Sequence, residues 1–182
     1  MVLACAAVAS AAEVGGISVD QWTSLGAAEL VLNGAGLKKW AFFRVYVAAL
    51  YLTEKRTSTR EVLTLGGPKR VSITLLRNVS PRELVGALRD GVRQNCSPEE
   101  QQAVRGRVDG LLAELSRVPQ ANQGDVLTVD WLPEAGTMVT VNGDLKSHPV
   151  PGDDVYRALL KVWLGEDPTS TGLKKALLGQ AR

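Results

Sequence analysis

From Leu30 to Leu52 the chain is apolar almost throughout. Phe43, Val45, Val47, Ala49 and Tyr51 fall on one side of an extended chain there, and Arg44, Tyr46, Ala48, Leu50 and Leu52 on the other. Both sides are mostly apolar, which predicts a central strand covered on both faces; a buried helix is the alternative, because periodicity does not separate the two for a continuous apolar run. Asn33-Gly34-Ala35-Gly36 interrupts the run. The expectation is a tight glycine-dependent bend between strands, with Gly34 and Gly36 free to take positive φ or to let another backbone come close.

Ahead of this stretch, Ile17–Val19 and Ala28–Leu32 read as short opening strands. After it, Thr53–Arg60 is polar, a loop or a short helix continuing into Glu61-Val62-Leu63. From Lys69 to Arg77, Val71, Ile73 and Leu75 alternate with Ser72, Thr74 and Leu76, the period of a strand. Ser80-Pro81-Arg82-Glu83 and Ser97-Pro98-Glu99-Glu100 are two capping boxes, in which serine and glutamate satisfy the first backbone N–H groups of a helix. Leu84, Ala87, Leu88 and Val92 share a face of the first helix; Val104, Val108, Leu111, Leu112 and Leu115 share one of the second. Asp125–Leu132, Thr137–Val141 and Asp144–Ser147 form an antiparallel meander, its last turn marked by Asn142-Gly143. A third helix begins at Asp153, its expected N-cap, buries Val155, Leu159, Val162 and Trp163, and stops at Gly165. A fourth is capped by Ser170 or Thr171 and ends at Gly179. Strands, helices, strands, helices: the class is α+β, one large antiparallel sheet with helices on one face.

Composition narrows the function more than the fold. The 182 residues carry a formal charge of +2 with acids and bases interspersed, so no nucleic-acid partner is expected. The first residues, MVLACAAVASAAEV, resemble the end of a secretory signal peptide with small-x-small cleavage sites at Ala9-Ser10-Ala11 and Ser10-Ala11-Ala12. Residues 1–12 are therefore expected to be a leader remnant, residues 13–182 a single domain, and the location periplasmic or secreted. Cys5 would leave with the leader, so Cys96 remains as a lone thiol beside a helix cap. No metal-spaced pair, phosphate-cradling glycine loop or serine elbow occurs, and no cofactor or metal is expected.

Several motifs together resemble the chalcone isomerase-like family, its exported bacterial members in particular. They are Asn33-Gly34-Ala35-Gly36 followed by the strand ending Leu50-Tyr51-Leu52, GTMVTVNG from Gly136, HPVPGDD from His148, and ALLKVWLG from Ala158 followed by LKKALLG from Leu173. The resemblance implies the chalcone isomerase fold. The plant enzymes of that fold close a flavanone ring by adding a phenolate oxygen to an enone. They use an arginine, a strand threonine, a helix tyrosine, an asparagine and a hydroxyl on a late helix. Carried over, these positions are Lys38, Tyr46, Glu83, Asp90 and Val162. Lysine keeps the charge without the planar fork. Glu83 is already explained by its capping box, Asp90 puts an acid where an amide is needed, and Val162 has no polar atom.

The resulting expectation is a non-catalytic protein that holds an apolar, fatty-acid-like or carboxylate small molecule between sheet and helices. Lys38, Arg44, Tyr46 and Trp163 are the candidate ligand-binding residues, Arg44 because a guanidinium pairs with carboxylates and because relatives of this fold bind fatty acids. The alternatives are an isomerase or intramolecular lyase using Tyr46, Lys38 and Arg44, and a partner-binding protein whose cleft Tyr46 and Trp163 fill.

Overall fold

The computed structural model describes residues 11–180. Two antiparallel strands come first, β1 (Ala11–Val14) and β2 (Ile17–Asp20). Seven more form one antiparallel sheet in sequence order: β3 (Trp22–Leu25), β4 (Ala28–Trp40), β5 (Phe43–Leu52), β6 (Lys69–Leu75), β7 (Val126–Leu132), β8 (Gly136–Val141) and β9 (Asp144–Leu145). Five helices are interspersed: α1 (Thr59–Thr64), α2 (Pro81–Asn95), α3 (Pro98–Leu115), α4 (Asp153–Leu164) and α5 (Thr171–Leu177). The expected leader lies outside the described residues except for Ala11 and Ala12, which pair with Asp20 and Val19 in β1 and β2.

β5 is the covered central strand. Ala48, Leu50 and Leu52 point into the main core with the helices, whereas Val47, Ala49 and Tyr51 point into a second core with Val19, Leu25, Leu30 and Leu32. Val14 and Ile17 of the β1–β2 hairpin pack against that second core. Helices therefore cover one face of the sheet and the N-terminal hairpin covers part of the other. The main core is built around α4, which buries Val155, Tyr156, Ala158, Leu159, Leu160, Val162, Trp163 and Leu164, on more than one side of the helix.

The expected bend at Asn33–Gly36 is a correction: these residues lie inside β4, and the turn comes later, at Ala41-Phe42. What the sequence marks is a bulge followed by a close contact. Leu32 pairs with Tyr51 and Gly34 with Leu50, so Asn33 is the extra residue. Its buried side chain donates to Leu177 O (2.7 Å) and accepts from Arg56 N (2.7 Å). A Cβ on Gly34 would sit against Ala176 O and 2.8 Å from Leu177 O; one on Gly36 would lie 2.6 Å from Ala176 Cβ. Both glycines exist so that α5 can rest on the strand.

Both capping boxes are formed as expected, and Ser58 with Glu61 makes a third at α1. The α3 face is the expected one. On α2, Val85 and Gly91 are buried with Leu88 and Val92, while Ala87 is exposed. Gly91 is there because a Cβ would fall 2.7 Å from Val162. Asp153 is not a cap: the N-cap of α4 is Gly152 at φ 96°, and Arg107 clamps Asp154 through both carboxylate oxygens. Asn142 and Gly143 both take positive φ, as the hairpin reading requires.

Candidate functional site

The bulges decide which side chains reach the site. Lys38 pairs with Tyr46 and Lys39 with Arg44, so Val45 is an extra residue on β5. One inserted residue moves every later side chain to the opposite face. Arg44, which strict alternation puts beside Tyr46, therefore lies on the far side, where its guanidinium sits by Gly15 of the β1–β2 turn together with Leu37 and Val47. The expectation that Arg44 holds a ligand at the cleft is corrected by this slip.

On the helix side an apolar cavity of about 230 Å3 opens between the sheet, α2 and α4. Tyr46, Ile73, Leu75 and Leu127 form the sheet wall; Leu84, Ala87 and Leu88 come from α2, and Val162 and Trp163 from α4. Lys38, Trp40, Arg77, Glu83 and Thr169 complete the lining. Tyr46 and Trp163 line the space without filling it. Trp163 Nε1 donates to the Tyr46 hydroxyl (3.1 Å), so a buried indole N–H is satisfied and two aromatic walls are fixed relative to each other. Burial pushes the Tyr46 phenol up from its ordinary value, against the opposing hydrogen bonds from Trp163 and Thr169. It is a neutral hydroxyl at physiological pH.

Lys38 is half-buried at the edge and donates to the Thr169 carbonyl. Burial lowers its pKa, since an ammonium with less water around it is less stable. An ammonium has three donors. One goes to Thr169, which leaves the others for an acceptor in the cavity. Arg77 is committed to Glu83 (2.9 Å) and to Asn78 O (2.8 Å). Glu83 also accepts from Ser80 N and Ser80 Oγ, each at 2.9 Å. Those bonds and Arg77 hold its carboxyl down to about 2. So the carboxylate at the rim is tied to the helix cap and is a poor proton carrier near neutral pH.

Of the positions carried over from the plant enzymes, Lys38, Tyr46, Glu83 and Val162 meet at the cavity and Asp90 does not. Asp90 is exposed on α2 and pairs with Arg93 (3.3 Å). Sequence reasoning missed Thr169, whose carbonyl orients Lys38, and the apolar wall from β6 and β7. Nothing marks a loop carbonyl in advance, but the alternation of Ile73 and Leu75 could have placed the wall. Among the described residues no group of three His, Cys, Asp or Glu side chains could hold a metal ion.

The family model for chalcone isomerase-like proteins matches residues 11–179. The chain belongs to the chalcone isomerase-like family. No curated protein matches it in sequence. Among solved structures, it is similar to the fatty-acid binding protein AtFAP1 of Arabidopsis thaliana, with a TM-score of 0.65 at 13% identity, over 90% of this chain and 92% of that one. At that identity the likeness concerns the fold, which is the α+β sheet with helices on one face expected of the family.

Proposed function

We propose that this chalcone isomerase-like protein binds a small apolar carboxylate, with the hydrocarbon in the cavity and the carboxylate on Lys38. One observation carries the reading: an apolar cavity whose edge holds a partly desolvated ammonium with donors to spare. A carboxylate there makes charge-assisted hydrogen bonds, roughly twice as strong as neutral ones. The fold similarity to a fatty-acid binding protein supports the same class. Size refines it. About 230 Å3 exceeds the ~150 Å3 apolar cavity that takes one benzene and falls below the roughly 300–1,000 Å3 of drug-sized sites. A short chain or a single ring fits the cavity as it stands, and a long acyl chain exceeds its volume.

The test is displacement of a fluorescent apolar probe by medium-chain carboxylates and by their methyl esters. Lys38→Met is expected to weaken the carboxylates about ten-fold, the loss of one charged hydrogen bond, and to leave the esters unchanged. Acids and esters binding alike to the wild-type protein would remove Lys38 from the reading. Absence of saturable binding by either would remove the reading itself. Export belongs to the same proposal, supported by the apolar, small-residue N-terminal run. Fractionation of host cells, with recovery in the periplasm or medium, checks it.

A further inference from the structure

The tip of the β4–β5 hairpin exposes the largest aromatic group on the described surface. Trp40 is 69% exposed, Phe42 99% and Phe43 64%. The three are brought together by a two-residue turn: Trp40 and Phe43 pair across the strands, and Ala41 takes φ 52°. That turn throws Phe42 outward with nothing packed on it. Positive φ at a residue with a Cβ is uncommon, and it is kept here for no internal contact of the Phe42 ring.

The charge behind the aromatics is of one sign and lies on one face of the ribbon, opposite Trp40 and Phe43. Lys39 and Arg44 pair across the ribbon just behind the tip, both exposed, the Arg44 guanidinium extending back toward Gly15 of the β1–β2 turn. Like charges directly opposite in a sheet repel, and neither side chain makes an ion pair with any described residue. No acidic residue occurs between Glu29 and Glu54, so the hairpin offers these cations no local counter-charge. Folding leaves both cations without an ion pair among the described residues, and an external anionic surface would supply one.

We propose that this hairpin tip docks the protein on an anionic lipid bilayer, with Phe42 and Phe43 in the acyl boundary, Trp40 at headgroup level and Lys39 and Arg44 on the headgroup phosphates. Aromatic rings with a polar edge favour the headgroup region. A pair of basic residues behind an apolar tip is what an anionic leaflet attracts. A bilayer fits better than a protein groove because the apolar part is a single protruding point and two cations without an ion pair stand directly behind it. Trp40 also lines the mouth of the cavity, so docking brings that mouth to the membrane. The docking does not rest on the cavity's having a ligand, since vesicle binding is read with ligand-free protein.

The experiment is flotation of the full chain with vesicles of phosphatidylcholine plus phosphatidylglycerol, and with phosphatidylcholine alone. Wild-type protein is expected to float with the mixed vesicles, less so as salt shortens the screening length. Phe42→Asp should reduce binding about ten-fold or more with unchanged thermal unfolding, because nothing packs on that ring. The Lys39→Ala/Arg44→Ala pair should cost about five-fold per charge on mixed vesicles and nothing on phosphatidylcholine. Wild-type protein staying at the bottom of the gradient with mixed vesicles overturns the proposal. So does Phe42→Asp floating like wild type. Lipid-free light scattering supplies the last arm: a dimer that Phe42→Asp dissociates would mean that the tip contacts a second copy of the chain instead.

Discussion

The β4–β5 ribbon meets helices at two places along its length, and the two contacts are of opposite kind. At Gly34 and Gly36 the helix α5 lies directly on strand backbone, with no room for a single methyl group. Two residues further along β4, at the Lys38↔Tyr46 pair, the helices stand off and an apolar cavity remains. That is about 7 Å of strand. The difference lies in the side chains. Glycine lets a helix approach to backbone contact, and Asn33 then pins it by donating to Leu177 O. Tyr46 and Trp163 keep the other elements apart and brace each other through one hydrogen bond. The closed contact fixes α5, and hence Thr169 just before it, whose carbonyl holds Lys38 at the edge of the open one. The first region serves the second by positioning.

The largest predicted effect comes from breaking the closed contact. Gly34→Ala puts a methyl against the Ala176 and Leu177 carbonyls, which are backbone and have nowhere to go. A loss of about 3 kcal/mol or more is expected, at the top of the overpacking range, read as the shift in denaturant midpoint. Gly36→Ala meets the Ala176 methyl and Leu173 Cδ1 instead, and these can shift or be removed. It should cost about 2 kcal/mol, and adding Ala176→Gly should recover part of it against a helix-propensity loss of about 1 kcal/mol. If the pair shows no recovery, the contact is not what limits the site.

The open contact is predicted to be softer. Tyr46→Phe leaves the buried Trp163 Nε1 donor without its acceptor, an expected loss of about 1–2 kcal/mol. A second readout is pH. Burial raises the Tyr46 pKa in the folded state. The folded chain therefore holds this proton more tightly than the unfolded chain does, and the contribution is complete below the unfolded value of about 10 and lost as pH rises through the folded one. Tyr51, pushed up to about 12 by burial and by Asp20, gives a fall of the same sign. Wild-type stability should decline above about pH 10, and Tyr46→Phe should decline less steeply over the same window in urea titrations.

The contrast between the two contacts was half legible in the sequence. A central strand covered on both faces, the capping boxes and the α+β order follow from periodicity and local chemistry, and these are what the structure shows. Gly34 and Gly36 announced a special backbone position, but a bend and a close approach use the same residue, and only the tertiary partner α5 separates them. Arg44 shows the limit most plainly. Its side of the sheet depends on an unpaired Val45, and a bulge leaves no mark in an apolar run. The cavity itself is a gap between distant segments, so its apolar wall was written in the sequence as ordinary core. Lys38 could be named from the family resemblance, whereas its carbonyl partner at Thr169 belongs to a loop without a signature.

The smallest predicted effect separates the rim of the open contact from its interior. Glu83 lines the cavity and corresponds to a catalytic position of the plant enzymes, yet every bond it makes points to the start of α2 or to Arg77. Its carboxyl is held down to about 2, so the stabilisation it contributes is present above the unfolded value near 4.5 and lost as pH falls toward 2. The side chain is 48% exposed, and water screens the pair with Arg77. The contribution is then about 1 kcal/mol, the usual worth of a helix cap, and not the larger figure a shift of that size would give in a dry site. Glu83→Gln keeps a capping amide and loses the charge. It should lower stability at neutral pH by under about 1 kcal/mol, with the difference from wild type vanishing in acid, while carboxylate binding by the cavity stays within about two-fold of wild type. A binding change as large as that of Lys38→Met would instead mean that the glutamate faces the ligand, and that the rim and the cavity interior act as one site.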